Sequence, residues 1–432
     1  MSNNTNGKAT TGVNRRGVLK GTAAVAGLAA GSAIGGFPTI WAQEDITVRT
    51  VGMAVSNMPQ LEDMANEALP FKVVQTAAQI PDIMSRGINQ SSSADLFEPP
   101  MMLLRAMWPT GKFQAWDTTK LPQWDAVVDL YKAPGKIWPD AWFGDGQNPS
   151  TVGYTSGQSA KDFVEAGSTK WITHHPVLHN ADTLGIRPDL IGRPIDSWKE
   201  LINPEFSGKA ALVAFPQIGL MDAAMAFQAN GEIEYANKGN MTREEIDFSI
   251  ERLIELKKDG HWRVLWSTFN DSVQLMVSGE VVIQSMWSPA VTAVREQGVP
   301  CIYQDLTEGY RSWTLGHMLP THLEGKKLGA VYDYVTWYHS GTAGAFFARQ
   351  GYYVVTWQNT KKYLPKAEWD FWFEGKPATV DIYSPFGKLM EKVGAVRDGG
   401  SYKNRMGRVA VWNSVMDENE YLTDRWNEFM AA

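Results

Sequence analysis

In residues 46–98, ITVRTVGMAVSNMPQLEDMANEALPFKVVQTAAQIPDIMSRGINQSSSADLFE, two periods alternate. Ile46 to Met53 is strand-like, Met58 to Leu69 places Leu61, Met64, Ala65 and Leu69 on one helical face, and Phe71 to Gln75 returns to a strand. Ile80 to Asn89 reads as a second helix, Ala94 to Glu98 as a buried strand and Met101 to Trp108 as a third helix. Strand–helix alternation with short connections predicts a parallel sheet in an α/β fold.

Working outward, the same grammar returns. Thr242 and Glu245 have the spacing of a capping box ahead of Ile246, Ile250, Leu253 and Ile254 on one face, and Gly260 ends that helix. Asp271 to Ser278 is a short helix closed by Gly279, and Val281 to Trp287 is a near-continuous apolar strand of the buried kind. Lys327 to His339 and Thr342 to Gln350 form two helices parted at Ser340-Gly341. No internal repeat, low-complexity tract or Gly/Ser linker follows Ala42. Two α/β units without a loose linker imply two lobes joined by several ordered crossings.

On the other side of this region, Asn14-Arg15-Arg16-Gly17-Val18-Leu19-Lys20 precedes a weakly apolar Gly/Ala-rich run from Gly21 to Gly36. Paired arginines, a hydrophobic residue two positions on and such a run have the form of a twin-arginine (Tat) export signal, read by the Tat export machinery. A membrane span is excluded because Gly and Ala contribute little transfer free energy. Residues 1–42 are therefore expected to be a leader cleaved after Ala42. With no Cys at the cleavage region, the product is expected to be a free, soluble protein of a Gram-negative periplasm.

The 432 residues are 44% hydrophobic and 20% charged, the composition of an ordinary globular chain, which excludes collagen-like, mucin-like and disordered readings. That length gives two or three domains, at about 150 residues each. A formal charge of −7, more acidic still without the leader's four basic residues, gives no general attraction to nucleic acid or an anionic bilayer. One cysteine, Cys301, excludes an internal disulfide, a Cys-rich zinc site and a Cys-ligated iron–sulfur cluster. Eighteen tryptophans supply π-faces suited to carbohydrate or cation recognition, although core packing accounts for most positions.

Chemistry-bearing motifs are missing. No Gly-x-Gly-x-x-Gly, Walker, Gly-x-Ser-x-Gly or His-Glu-x-x-His pattern occurs, so no catalytic residue, cofactor or metal is assigned. His174, His175 and His179 are the one His cluster; Pro176 argues against a helix there, and strand-edge or surface positions are expected. Tyr352-Tyr353 is similar to the adjacent tyrosines of ferric-ion carriers, but a buried helix end explains it equally well.

Several segments resemble the periplasmic solute-binding proteins of ABC importers, specifically the spermidine/putrescine-binding branch. They are GKFQAWDTTKLPQW (111–124), Ser197-Trp198-Lys199-Glu200-Leu201 with Asn203-Pro204 and Gly208-Lys209, Gly279-Glu280-Val281 through Trp287, and Gly351-Tyr352. Their order covers about residues 46–360. The resemblance implies a two-lobed Venus-flytrap (type II) fold with ligand in the cleft between lobes. Residues 43–175 with 313–350 would form one lobe, and 176–312 with 351–432 the other. It implies a monomer that delivers a small solute to ABC permease subunits. Ligand contacts would fall on Ser56, Asn57, Glu98, Gln217, Ile218, Gly219, Trp287, Trp313 and Tyr352.

Departures from that pattern narrow the ligand. Polyamine binders neutralise ammonium groups with carboxylates, because a buried unpaired charge is costly. Here Asn57, Leu315 and the Gln217 neighbourhood stand at three acidic positions, leaving Glu98 as a single counter-charge and Trp287, Trp313 and Tyr352 as an aromatic cage. Asp222, Asn270 and Asp271 are further polar candidates, the last two better suited to helix capping. The expected solute is small, polar and nitrogen-containing, with at most one positive charge. A Tat-exported cofactor-dependent enzyme and a ferric-ion-binding protein of the same fold are the alternatives.

Overall fold

The computed structural model describes residues 46–133 and 137–432; the leader, with Arg15, Arg16 and the cleavage point, lies outside the described residues. Thr47–Gly52 is the central strand of a three-stranded sheet, flanked in parallel by Lys72–Ala77 and Leu96–Glu98. The intervening helices, Pro59–Ala68 and Ile80–Asn89, each carry Pro in the first turn, where its missing N–H costs no hydrogen bond. Leu61 and Ala65 bury the predicted helical face against Val48 and Val73. The expected third helix is shorter than its pattern. Met101–Leu103 and Trp108–Thr110 are 3₁₀ turns around a four-residue helix, Leu104–Met107, because Pro109 and left-handed Gly111 close it.

The larger sheet corrects the expectation of purely parallel pairing. Its spine is the twelve-residue strand His175–Ile186, buried throughout and antiparallel to Tyr310–His317 and to Ile283–Met286. Ala210–Val213 runs parallel to Ile283–Met286 and to Trp262–Trp266, and Val409–Trp412 runs parallel to Tyr310–His317. A strand covered on both faces shows no period of two, and His and Asn along this one hide its apolar character.

His174, His175 and His179 are accordingly interior, not strand-edge or surface, residues. His179 lies between two phenols, with Tyr131 Oη at 3.1 Å from Nδ1 and Tyr402 Oη at 2.8 Å from Nε2. Burial holds each of the three imidazoles down to about 3, with His317 adding repulsion on His174 and His175.

Local punctuation is as read. Thr242 and Glu245 close a reciprocal capping box on helix Arg243–Lys258, and Thr268 and Asp271 close another on Phe269–Ser278, so Asp271 caps. Gly260 and Gly279 take the left-handed conformation that ends these helices. Gly325–Tyr338 and Thr342–Ala348 form the two late helices. Leu315 to Val354 pack in one core with the first sheet, while Leu184 to Leu306 share another with Val411 to Phe429. Val127, Leu130, Tyr131, Ile137 and Ala141 pack with residues 345–412, where Trp357, Trp369 and Phe373 stack. Most of the tryptophan surplus is spent on such packing; Trp108, Trp116, Trp198 and Trp266 are fully buried. No described helix is long and apolar enough to cross a membrane.

Candidate functional site

A narrow cavity opens where parallel strands end. Met53 and Val55 follow strand Thr47–Gly52, Pro100 and Met102 follow Leu96–Glu98, Trp287 and Pro289 follow Ile283–Met286, and Asn413 follows Val409–Trp412. Open α/β sheets collect ligands outside their strand carboxyl ends for this topological reason. Ile80, Ile218 and Leu315 complete walls that are almost wholly apolar. Trp287 sits edge-on to Trp266 at 5.1 Å, and Trp313 lies 6.3 Å from the ring of Tyr352.

The polar floor is a buried charge cluster. Arg311 donates from Nε to Asp222 Oδ1 at 2.6 Å, from Nη1 to Asn413 Oδ1 at 3.0 Å and, more weakly, from Nη2 to Asp182 Oδ2 at 3.4 Å. Tyr303 Oη donates to Asp182 Oδ1 at 2.7 Å, and the Trp313 side chain also hydrogen-bonds Asp182. Two carboxyl groups thus face one guanidinium. Burial pushes both carboxyls above the ordinary aspartate value against the pull of Arg311, with Ser285 also hydrogen-bonding Asp222.

Residues 71–370 match the family of bacterial extracellular solute-binding proteins. The chain belongs to that family. No curated protein sequence matches it. Among solved structures it is similar to the spermidine/putrescine ABC transporter substrate-binding protein of Streptococcus pneumoniae, at TM-score 0.59 and 12% identity over 89% of this chain and 98% of that one. It is also similar to an ABC transporter substrate-binding protein of Bradyrhizobium japonicum (0.58, 15%, 89% and 100%). A third is an A. tumefaciens binding protein in complex with glucopine (0.54, 14%, 89% and 99%). At these identities the likeness shows the fold, that of two-lobed periplasmic binding proteins.

Within this solute-binding protein, the residues singled out from sequence divide into two groups. Trp287 and Trp313 line the cavity, as do Ile218 and Leu315. Ser56, Asn57 and Glu98 come together, but facing one another and not among the lining residues. Ser56 Oγ donates to Glu98 Oε1, Thr50 Oγ1 donates to Asn57 Oδ1 at 2.6 Å, and His317 Nε2 lies 3.0 Å from Glu98 Oε2. Glu98 is 2% exposed and its oxygens are taken by these neighbours. Tyr352 is buried behind Trp313 and donates to the carbonyl of Val55, tying that wall residue in place. Gln217 donates to Asn419 Oδ1 at 2.5 Å. At Gly219 a Cβ would stand 2.4 Å from the Val213 carbonyl and 2.6 Å from Trp426, so the glycine serves close packing.

Asp182, Arg311 and Asn413 were not singled out from sequence. The available signal was weak: an ionisable residue inside each of two otherwise core-like segments, HNADTLGI and YRSWTLGH. Their pairing, Arg311 opposite Asp182 across antiparallel strands, needed the fold.

Proposed function

We propose that the protein captures a small, nitrogen-containing solute with at most one positive charge in the Trp287/Trp313 cavity and delivers it to the permease of an ABC importer. It acts as a binding protein, not an enzyme, and works as a monomer in the periplasm, exported through Arg15 and Arg16. Residues 43–175 with 313–350 form one lobe, and 176–312 with 351–432 the other. Solute enters at the strand ends and the lobes close on it. Ser56, Asn57, Glu98, Tyr352, Gln217 and Gly219 fix the walls from behind.

The observation that carries this reading is the pair of indoles over a floor whose two carboxyls oppose one guanidinium. The S. pneumoniae protein is titled for spermidine and putrescine. Here Leu315 lines the cavity as hydrocarbon, and Asn57 and Gln217 are engaged with protein partners. A ligand with two or three separated ammonium groups would leave charge uncompensated.

A desolvated cation–π contact is worth about 2 kcal/mol or more. Trp287→Ala and Trp313→Ala are each expected to weaken binding by more than about tenfold, since about 1.4 kcal/mol is a factor of ten. Native mass spectrometry of protein purified from its own periplasm identifies the retained solute, and calorimetry on the two variants measures the loss. Unchanged affinity in both would place the solute elsewhere.

A further inference from the structure

A second, narrow chamber gathers Arg295, Arg397, Arg405, Tyr303, Gln350 and Trp372. These residues come from separate parts of the chain. Arg295 ends helix Ser288–Arg295, Gln350 follows Thr342–Ala348, Trp372 ends Lys366–Trp372, and Arg405 lies in Tyr402–Met406. Three guanidinium groups meet two carboxylates there, and both carboxylates are held by one arginine. Arg295 Nη2 lies 2.6 Å from Asp398 Oδ2, and its Nη1 lies 2.7 Å from Glu391 Oε1.

Arg397 and Arg405 have no carboxylate partner among the described residues. Arg397 donates to the carbonyls of Trp372, Gly351 and Gly400 and lies over the rings of Tyr353 and Trp372. Arg405 donates to the carbonyls of Ala181 and Asp398 and lies over Tyr303 and Tyr310, at 4.7 Å from each centroid. Carbonyls and aromatic faces hold a guanidinium in place but do not neutralise it. Burial drags Arg397 below the ordinary arginine value; Arg295 and Arg405 are raised against burial, Arg405 by Tyr310, Tyr303, Tyr353 and Asp398.

Three buried nitrogens on these walls have no hydrogen-bond partner: Arg405 Nε, Gln350 Nε2 and Trp372 Nε1. The parent residues are 1%, 5% and 4% exposed. The indole and guanidinium nitrogens are donors only, and the amide nitrogen is a donor by its assignment. Unmade donors of this kind are costly in a protein interior and call for an acceptor. One excess positive charge and three orphaned donors at one place have the same complement.

We propose that this chamber binds a small monovalent anion, a halide or a formate-sized carboxylate, between Arg397, Arg405 and Gln350. The site is separate from the Trp287/Trp313 cavity and does not depend on the solute proposed for it. Tyr303 stands between the two, its hydroxyl on Asp182 and its backbone N–H on Asp398 Oδ2 at 2.7 Å.

The test titrates the full-length mature protein with sodium bromide or sodium formate at ionic strength fixed by a bulky sulfonate salt, reading the melting temperature. Wild type is expected to gain several degrees and saturate. Gln350→Glu, which places a carboxylate on the chamber wall, is expected to melt higher without added anion and to lose the response. Anomalous diffraction from bromide-soaked crystals is expected to show one peak within hydrogen-bond range of Arg405 Nε and Gln350 Nε2. Loss of that peak on adding formate extends the site to carboxylates, and its persistence restricts the site to halides. An equal anion response in wild type and Gln350→Glu, with no bromide in the chamber, would overturn the proposal.

Discussion

Acidification from pH 8 to pH 5 is expected to remove roughly 6 kcal/mol of folding stability through three histidines alone. His174, His175 and His179 are held neutral by burial at about 3, while the unfolded chain takes up protons near the ordinary value of about 6.5. Between those two values the unfolded state binds more protons, so the stability present above about pH 6.5 is lost as pH falls toward 3. At pH 5 each group contributes a loss of about 2 kcal/mol, and the sum is comparable with the 5–15 kcal/mol of a typical folded chain. His339, held well below its ordinary value, and His261 act in the same direction. Asp182 and Asp222, raised by burial, act oppositely: their contribution is lost as pH rises through their folded values, which blunts the slope. Urea unfolding at several pH values measures it. His179→Gln, which retains hydrogen bonding to Tyr131 and Tyr402, is expected to flatten the curve by one histidine's share. Stability unchanged between pH 8 and 5 would contradict the account.

Arg311→Met is expected to cost about 3–5 kcal/mol, the usual price of leaving one side of a buried ion cluster unpaired. Asp182 and Asp222 are 1% and 0% exposed, and among the described residues no other cation reaches either within salt-bridge distance. Because the stranded carboxyls escape by protonation, the deficit should be larger at pH 8 than at pH 6. Arg311→Lys should recover part of it, since one ammonium cannot span Asp222, Asn413 and Asp182 as the guanidinium fork does. Chemical denaturation reads both variants against wild type. A loss within about 1 kcal/mol for Arg311→Met would show that the cluster holds little of the fold.

Much of this architecture is legible in local pattern. Leu61 and Ala65 on one face, the capping box at Thr242, and the glycines at 260 and 279 each announce an element through residues a few positions apart. The spine strand His175–Ile186 is not legible, because burial on both faces erases the alternation and its polar atoms are satisfied by partners as distant as Tyr402. The site divides on the same line. Trp287 and Trp313 are named by the family resemblance, whereas the ionic floor depends on Asp182 and Arg311, 129 residues apart. Glu98 looks like a free counter-charge in sequence; His317, which occupies it, is 219 residues away.

The central claim is that the Trp287/Trp313 cavity accepts one positive charge and no more. Titration calorimetry of ligand-free protein with spermidine, putrescine and a panel of singly charged or neutral nitrogenous solutes tests it most directly. The account predicts saturable heat, at micromolar affinity or tighter, with a member of the singly charged or neutral set and none with spermidine. Micromolar or tighter spermidine binding, lost in Trp287→Ala, would contradict it.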